Sequence, residues 1–114
     1  IRNSYRTTYA LPGGGLHPHE DPLTAASREL REEVGVLCEP KRLHLAFAFS
    51  GTHEHQHDLA QIFEVTFAQR PTIHVDDREV VWAAFLSPEI LSGLPLCPIL
   101  QAYLRQRETH AAVS

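Results

Sequence analysis

The chain has 114 residues, 43% of them hydrophobic and 21% charged, with a formal net charge of −4. That length fits one domain with one buried core, residues 1–114, and leaves no room for a second. The acidic balance argues against a general nucleic-acid binder, which needs a basic face, and no apolar run approaches a membrane span.

Residues 1–10 read as extended. Ile1-Arg2-Asn3-Ser4-Tyr5 reads like the end of a strand, with no initiator methionine or cap before it, so the N-terminus is expected to be incomplete. A glycine-rich loop follows, Leu11-Pro12-Gly13-Gly14-Gly15, running on through His17 and His19 to Glu20. Then comes a helix. Asp21 can cap it, Pro22 suits its first turn, and Gly35 lies just past its last apolar residue, Val34. Its core stripe is expected to be Leu23, Ala26, Leu30 and Val34.

Residues 42–50 and 59–68 read as two strands, joined by a long polar hairpin loop over residues 51–58. Arg70-Pro71-Thr72 closes the pair, Glu79 to Leu86 forms another strand, and Ser87-Pro88 opens a short capped helix. A last helix runs from about Pro98 to Arg107. Phe47, Phe49, Phe63, Phe67, Trp82 and Phe85 are expected in the core, as aromatics on sheet faces usually are. Cys38 and Cys97 stand in unrelated contexts and read as reduced, partly buried thiols, with the cytoplasm as the default location. Strands mixed with one strong and one weaker helix imply an α/β layered domain.

On the first helix, Glu29, Glu32 and Glu33 fall within one arc of roughly 100°, beside the apolar stripe. Like charges so spaced destabilise a helix by a few tenths of a kcal/mol per pair, roughly, so something must compensate. Arg28 can pair with Glu32 one turn on. A hard divalent cation could bind the remaining carboxylates. A solvated acidic face with ordinary ion pairs is the plainer reading of such a helix alone. The glycine-rich loop just ahead of it shifts the balance, because its backbone can approach a ligand without obstruction.

The segment Gly14 to Val36, GGLHPHEDPLTAASRELREEVGV, resembles the Nudix box. Gly14, Glu20, Arg28-Glu29-Leu30, Glu32-Glu33 and Gly35-Val36 hold its defining positions. Tyr9-Ala10-Leu11-Pro12-Gly13 is similar to the usual lead-in, and Glu79-Val80-Val81-Trp82 to a late strand of the family. His19 departs from it, standing where glycine is frequent. The resemblance implies an α/β/α sandwich with a mixed β-sheet, here lacking its N-terminal strand or strands. It also implies a nucleotide-like diphosphate substrate cleaved with Mg²⁺ or Mn²⁺, and leaves a homodimer open.

Carried onto this chain, the resemblance makes Glu29, Glu33 and Glu32 the metal ligands, joined by the Gly13 carbonyl. Arg28 orients the glutamates, while Glu20, with Gly14, braces the loop. The general base is a box glutamate or one of Asp76, Asp77 and Glu79, with Glu79 favoured. Arg2 and Arg6 are candidates for substrate phosphates. His53, His55 and His57 alternate, so one strand would align them for a transition metal, whereas a hairpin loop would expose them. A non-catalytic binding module on the same fold would show eroded box glutamates, and an enzyme of RNA 5′ ends a basic groove; neither mark is present. A histidine-rich metal binder would need ligands at closed-site spacing, which the His53–His57 segment does not clearly supply.

Overall fold

Asp21 opens the helix that positions the site. The computed structural model describes the whole chain except Tyr5, Arg6, Glu54, His55, Asp76, Asp77, Arg78 and Ser114, and only the backbone along 51–59 and 110–113. Helix α1 spans Pro22–Val34. The Asp21 carboxylate accepts from Thr24 N–H at 3.0 Å and from the Thr24 hydroxyl at 2.8 Å, satisfying an N-terminal donor that the helix cannot. At the other end Gly35 turns left-handed, φ 69°, and donates to the Arg31 carbonyl at 3.1 Å. Val34 is buried as expected, but Ala25 is the other deeply buried side chain of α1, with Leu23, Ala26 and Leu30 half-buried. The apolar chain continues through Val36, Cys38 and Leu43, all buried, across a 3-10 turn at Pro40–Arg42. Both cysteines are free thiols.

Strands β2 (His44–His53) and β3 (Gln56–Glu64) form an antiparallel hairpin, with an extra residue, Ala46, between Leu45 and Phe47. The long loop expected over residues 51–58 is largely strand: Gly51 pairs with Asp58, Thr52 with His57 and His53 with Gln56. Ladder bonds are made by the backbone, so polar side chains need not end them; apolar alternation marks where a face is covered, not where pairing stops. At its other end β3 stops at Glu64 rather than 68, because its partner begins at His44. His53 and His57 therefore sit on different strands, so the alignment of three histidines on a single strand does not arise; His55 lies outside the described residues.

The expected strand Glu79–Leu86 is reduced to β4, Val80–Trp82, which pairs antiparallel with β1, Arg2–Asn3. A strand extends only as far as it has a partner, and β1 offers two residues. The sheet appears as two separate antiparallel pairs, β1 with β4 and β2 with β3, and among the described residues one parallel bridge, Tyr9 with Leu96, lies outside both. Helix α2 (Pro88–Leu91) starts at Ser87, whose hydroxyl accepts from Ile90 N–H at 3.3 Å. Helix α3 covers Pro98–Val113, well past Arg107.

The hairpin takes α1 against β3 and α3 against β2, giving the α/β layering. Ile62, Leu96, Leu100 and Tyr103 form the centre of a core cluster, with Phe47 packed against it. The aromatics are less buried than expected. Phe47, Phe49, Phe63 and Phe67 are half-buried, and Trp82 and Phe85 are exposed at 38% and 43%. Arginine covers part of two of these rings, with Arg42 5.4 Å from the Phe67 centroid and Arg70 5.3 Å from that of Phe85. Among the described residues no helix is long and apolar enough to cross a membrane.

Candidate active site

The loop before α1 closes on itself first. Glu20 N–H donates to the His17 carbonyl at 3.0 Å, and His17 N–H donates back to Glu20 Oε1 at 3.0 Å. His19, between them, adopts the left-handed conformation with φ 64°, which suits glycine better than a residue with a Cβ. This turn carries Glu20 over the first turns of α1, into reach of Arg28.

Arg28 then gathers five acceptor atoms from four residues. Its Nε and Nη2 bind both oxygens of Glu20 at 2.8 and 3.0 Å, the planar two-point grip suited to a carboxylate. Nη1 reaches Glu29 Oε1 at 3.0 Å and Glu32 Oε2 at 3.1 Å, while Nη2 also donates to the Gly15 carbonyl at 3.1 Å. The Arg28 and Glu20 side chains are only 12% and 10% exposed. Hydrogen bonds from Arg28, helped by His17 N–H, hold the Glu20 carboxyl down at about 2. The bond to Glu20, with help from Glu29, raises Arg28 above its ordinary value. One guanidinium thus ties loop to helix and sets two of the three glutamates on the acidic edge.

The edge divides in two. Glu32 is 48% exposed and turned to Arg28. Glu29 and Glu33 instead lie under the glycine loop: Gly13 N–H donates to Glu33 Oε1 at 2.6 Å, and a Cβ on Gly14 would stand 2.6 Å from Glu29 Oε1. Burial pushes the Glu33 carboxyl up to about 7, against the pull of Gly13 N–H and with further upward push from Glu29 and Glu79. Pairing of β1 with β4 brings Glu79 there, with Ser4 N–H on the Glu79 carbonyl at 2.8 Å. Arg2 lies on β1, exposed and opposite Trp82. Arg6, Asp76 and Asp77 lie outside the described residues.

Two relationships escape a reading of the sequence. The contact of Gly14 with Glu29 joins positions fifteen apart with no local pattern between them. The bond from Arg28 to the Gly15 carbonyl is likewise set by how the loop folds back.

The site is thus a helix edge of carboxylates under a glycine loop, pinned by a central arginine. Residues 2–110 match the NUDIX domain family, and the chain belongs to that family. It is similar to the mouse protein 8-oxo-dGDP phosphatase NUDT18, with 47% identity over 38 residues. The shared stretch covers 33% of this chain and 12% of that protein.

Proposed function

We propose that this chain hydrolyses the diphosphate linkage of a nucleoside diphosphate joined to a further group X, with Mg²⁺ or Mn²⁺ as cofactor. The observation that carries the reading is the placement of Glu29 and Glu33 together beneath the glycine loop, at Gly14 and Gly13.

The donor set fits a hard divalent cation. Glu29, Glu32 and Glu33 supply carboxylate oxygens, the type that Mg²⁺ and Mn²⁺ select, and the Gly13 carbonyl would add another. Among the described residues no three acidic, histidine or cysteine side chains stand close enough to enclose an ion. Substrate phosphate and water oxygens would complete the shell, as is usual for Mg²⁺. A bound cation would screen phosphate charge and polarise the phosphoryl group.

The chain's own groups do the rest. Water attacks one phosphorus of the linkage, the bridging oxygen leaves with the other, and the proton released passes to a carboxylate. Glu79 is the favoured acceptor, since its charge acts on Glu33 across the site; Asp76 and Asp77 are the alternatives. Arg28 holds Glu29 and Glu32 in place and acts through them. Arg2 and Arg6 are the candidates to meet substrate phosphates.

A panel of dNTPs, 8-oxo-dGDP, ADP-ribose, NADH, nucleotide sugars and a diadenosine polyphosphate tests the reading. Each is incubated with Mg²⁺, with Mn²⁺ and with chelator, beside Glu33→Gln, and the products are separated by chromatography. Cation-dependent cleavage at a diphosphate, lost in the variant, is the expected result. Binding without turnover of any member would replace the hydrolase reading with a binding module.

A further inference from the structure

Residues 17–20 form a turn that suits glycine at the position where the chain has His19. Glu20 N–H donates to the His17 carbonyl at 3.0 Å, closing four residues with Pro18 second and His19 third. That is the order of a type II turn, whose third residue takes φ near about +80° and is most often glycine. His19 stands there at φ 64° and is, among the described residues, the one residue other than glycine with a positive φ. A Cβ in that conformation crowds the neighbouring backbone, which lowers the population of the turn roughly five- to thirtyfold relative to glycine.

Packing does not offset this strain. Every residue from Gly13 to His19 is exposed, so the turn rests on its hydrogen bonds. Those bonds lead straight to the acidic edge. Glu20 Oε1 accepts from His17 N–H at 3.0 Å and also from Arg28 Nη2 at 3.0 Å. Arg28 Nη1 then reaches Glu29 Oε1 at 3.0 Å and Glu32 Oε2 at 3.1 Å. From the strained turn to two of the carboxylates that would hold a cation, no link is longer than 3.1 Å. An opened turn withdraws His17 N–H and shifts Glu20, and Arg28 then loses the two-point partner that fixes its plane.

We propose that His19 is a positioning residue that weakens the site's hold on its divalent cation: the strained turn is only partly populated, and the closed turn alone places Glu29 and Glu32 through Glu20 and Arg28. Apparent affinity falls in proportion to the closed fraction. The proposal takes its cation from the hydrolase reading but does not depend on turnover.

Binding of Mn²⁺ alone to the whole chain is measured by calorimetry, beside thermal melts in chelator. His19→Gly and His19→Val both delete the imidazole but move the turn in opposite directions, because glycine accepts a positive φ and a β-branched residue resists it. His19→Gly should tighten Mn²⁺ about fivefold or more, with about thirtyfold as the ceiling, and His19→Val should weaken it. If His19→Val fails to fold, the glycine variant decides by itself. In a Glu20→Ala background the gain from His19→Gly should vanish, since the route through Arg28 is cut. A shift in the same direction by both variants would assign the effect to the lost imidazole and overturn the proposal. A higher Tm with unchanged Mn²⁺ affinity in His19→Gly would make the strain a matter of stability and overturn it too, as would a gain that survives Glu20→Ala. The predicted order of affinities in a protein that cleaves no diphosphate would support the proposal and remove the hydrolase reading. Cation-dependent cleavage with Mn²⁺ affinity indifferent to His19 would do the reverse.

Discussion

Gly14 and Glu29 are in contact across the mouth of the site: a Cβ added to Gly14 would stand 2.6 Å from Glu29 Oε1 and 3.0 Å from its Cδ. Gly13 and Gly15, on either side, have nothing within 4 Å of the same construction. Of the three consecutive glycines, only Gly14 lacks room for a side chain. The obstructing atoms are the far end of a flexible carboxylate, so an added methyl displaces Glu29 without disturbing the fold. Gly14→Ala should therefore lower kcat/KM about ten- to a hundredfold, the usual cost of disturbing a ligand's placement, with little change in Tm. Gly13→Ala and Gly15→Ala should stay near wild type in both. Equal losses in all three, followed by steady-state kinetics and thermal melts, would mean that loop flexibility rather than this contact matters.

Arg28 acts through other groups, which gives it a distinct kinetic signature. Arg28→Ala frees Glu20, Glu29 and Glu32 together. Apparent affinity for Mg²⁺ should fall about ten- to a hundredfold, with part of the activity regained at high Mg²⁺. Arg28→Lys should recover little, because an ammonium cannot reproduce the two-point grip on Glu20. Activity that does not respond to added Mg²⁺ would show that Arg28 serves something other than ligand placement.

Two carboxylates give the chelated protein opposite pH dependences in separate windows. Glu33 is pushed up to about 7 from its ordinary 4.5, so between those values the folded state holds more protons than the unfolded state. Stability should then decrease as pH rises from about 4.5 to 7, and Glu33→Gln should remove that slope. Glu20 is held down at about 2, so its contribution is present above 4.5 and lost as pH falls toward 2. Urea midpoints across both windows, in chelator, separate the two. A wild type that gains stability between pH 4.5 and 7 as much as Glu33→Gln does would count against a raised Glu33.

Gly35 bears on stability alone. It ends α1 at φ 69°, and a Cβ there would meet the His74 Cβ at 3.0 Å. The left-handed conformation costs a residue with a side chain about 1–2 kcal/mol, and the crowding at His74 adds to it. Gly35→Ala should lose at least that much in urea unfolding while the catalytic constants of the folded enzyme hold. Wild-type stability would mean that the helix end rearranges freely.

By itself the sequence determined the ends of α1 and the identity of the acidic edge. Asp21, Pro22 and Gly35 are local signals, because a cap acts on atoms within one turn, and the spacing of Arg28, Glu29, Glu32 and Glu33 fixes their arc through helical geometry alone. Tertiary structure decided what depends on chains meeting. Strand lengths followed the partner available, so β4 shrank to Val80–Trp82 while the hairpin ran through a polar segment that looked like loop. The division of the acidic edge, Glu32 to Arg28, Glu33 to the glycine loop and Glu29 to both, came from the loop folding back through Glu20. Trp82 left the core for a similar reason: periodicity assigns a face only while pairing is regular, and the register of β1 against β4 is not.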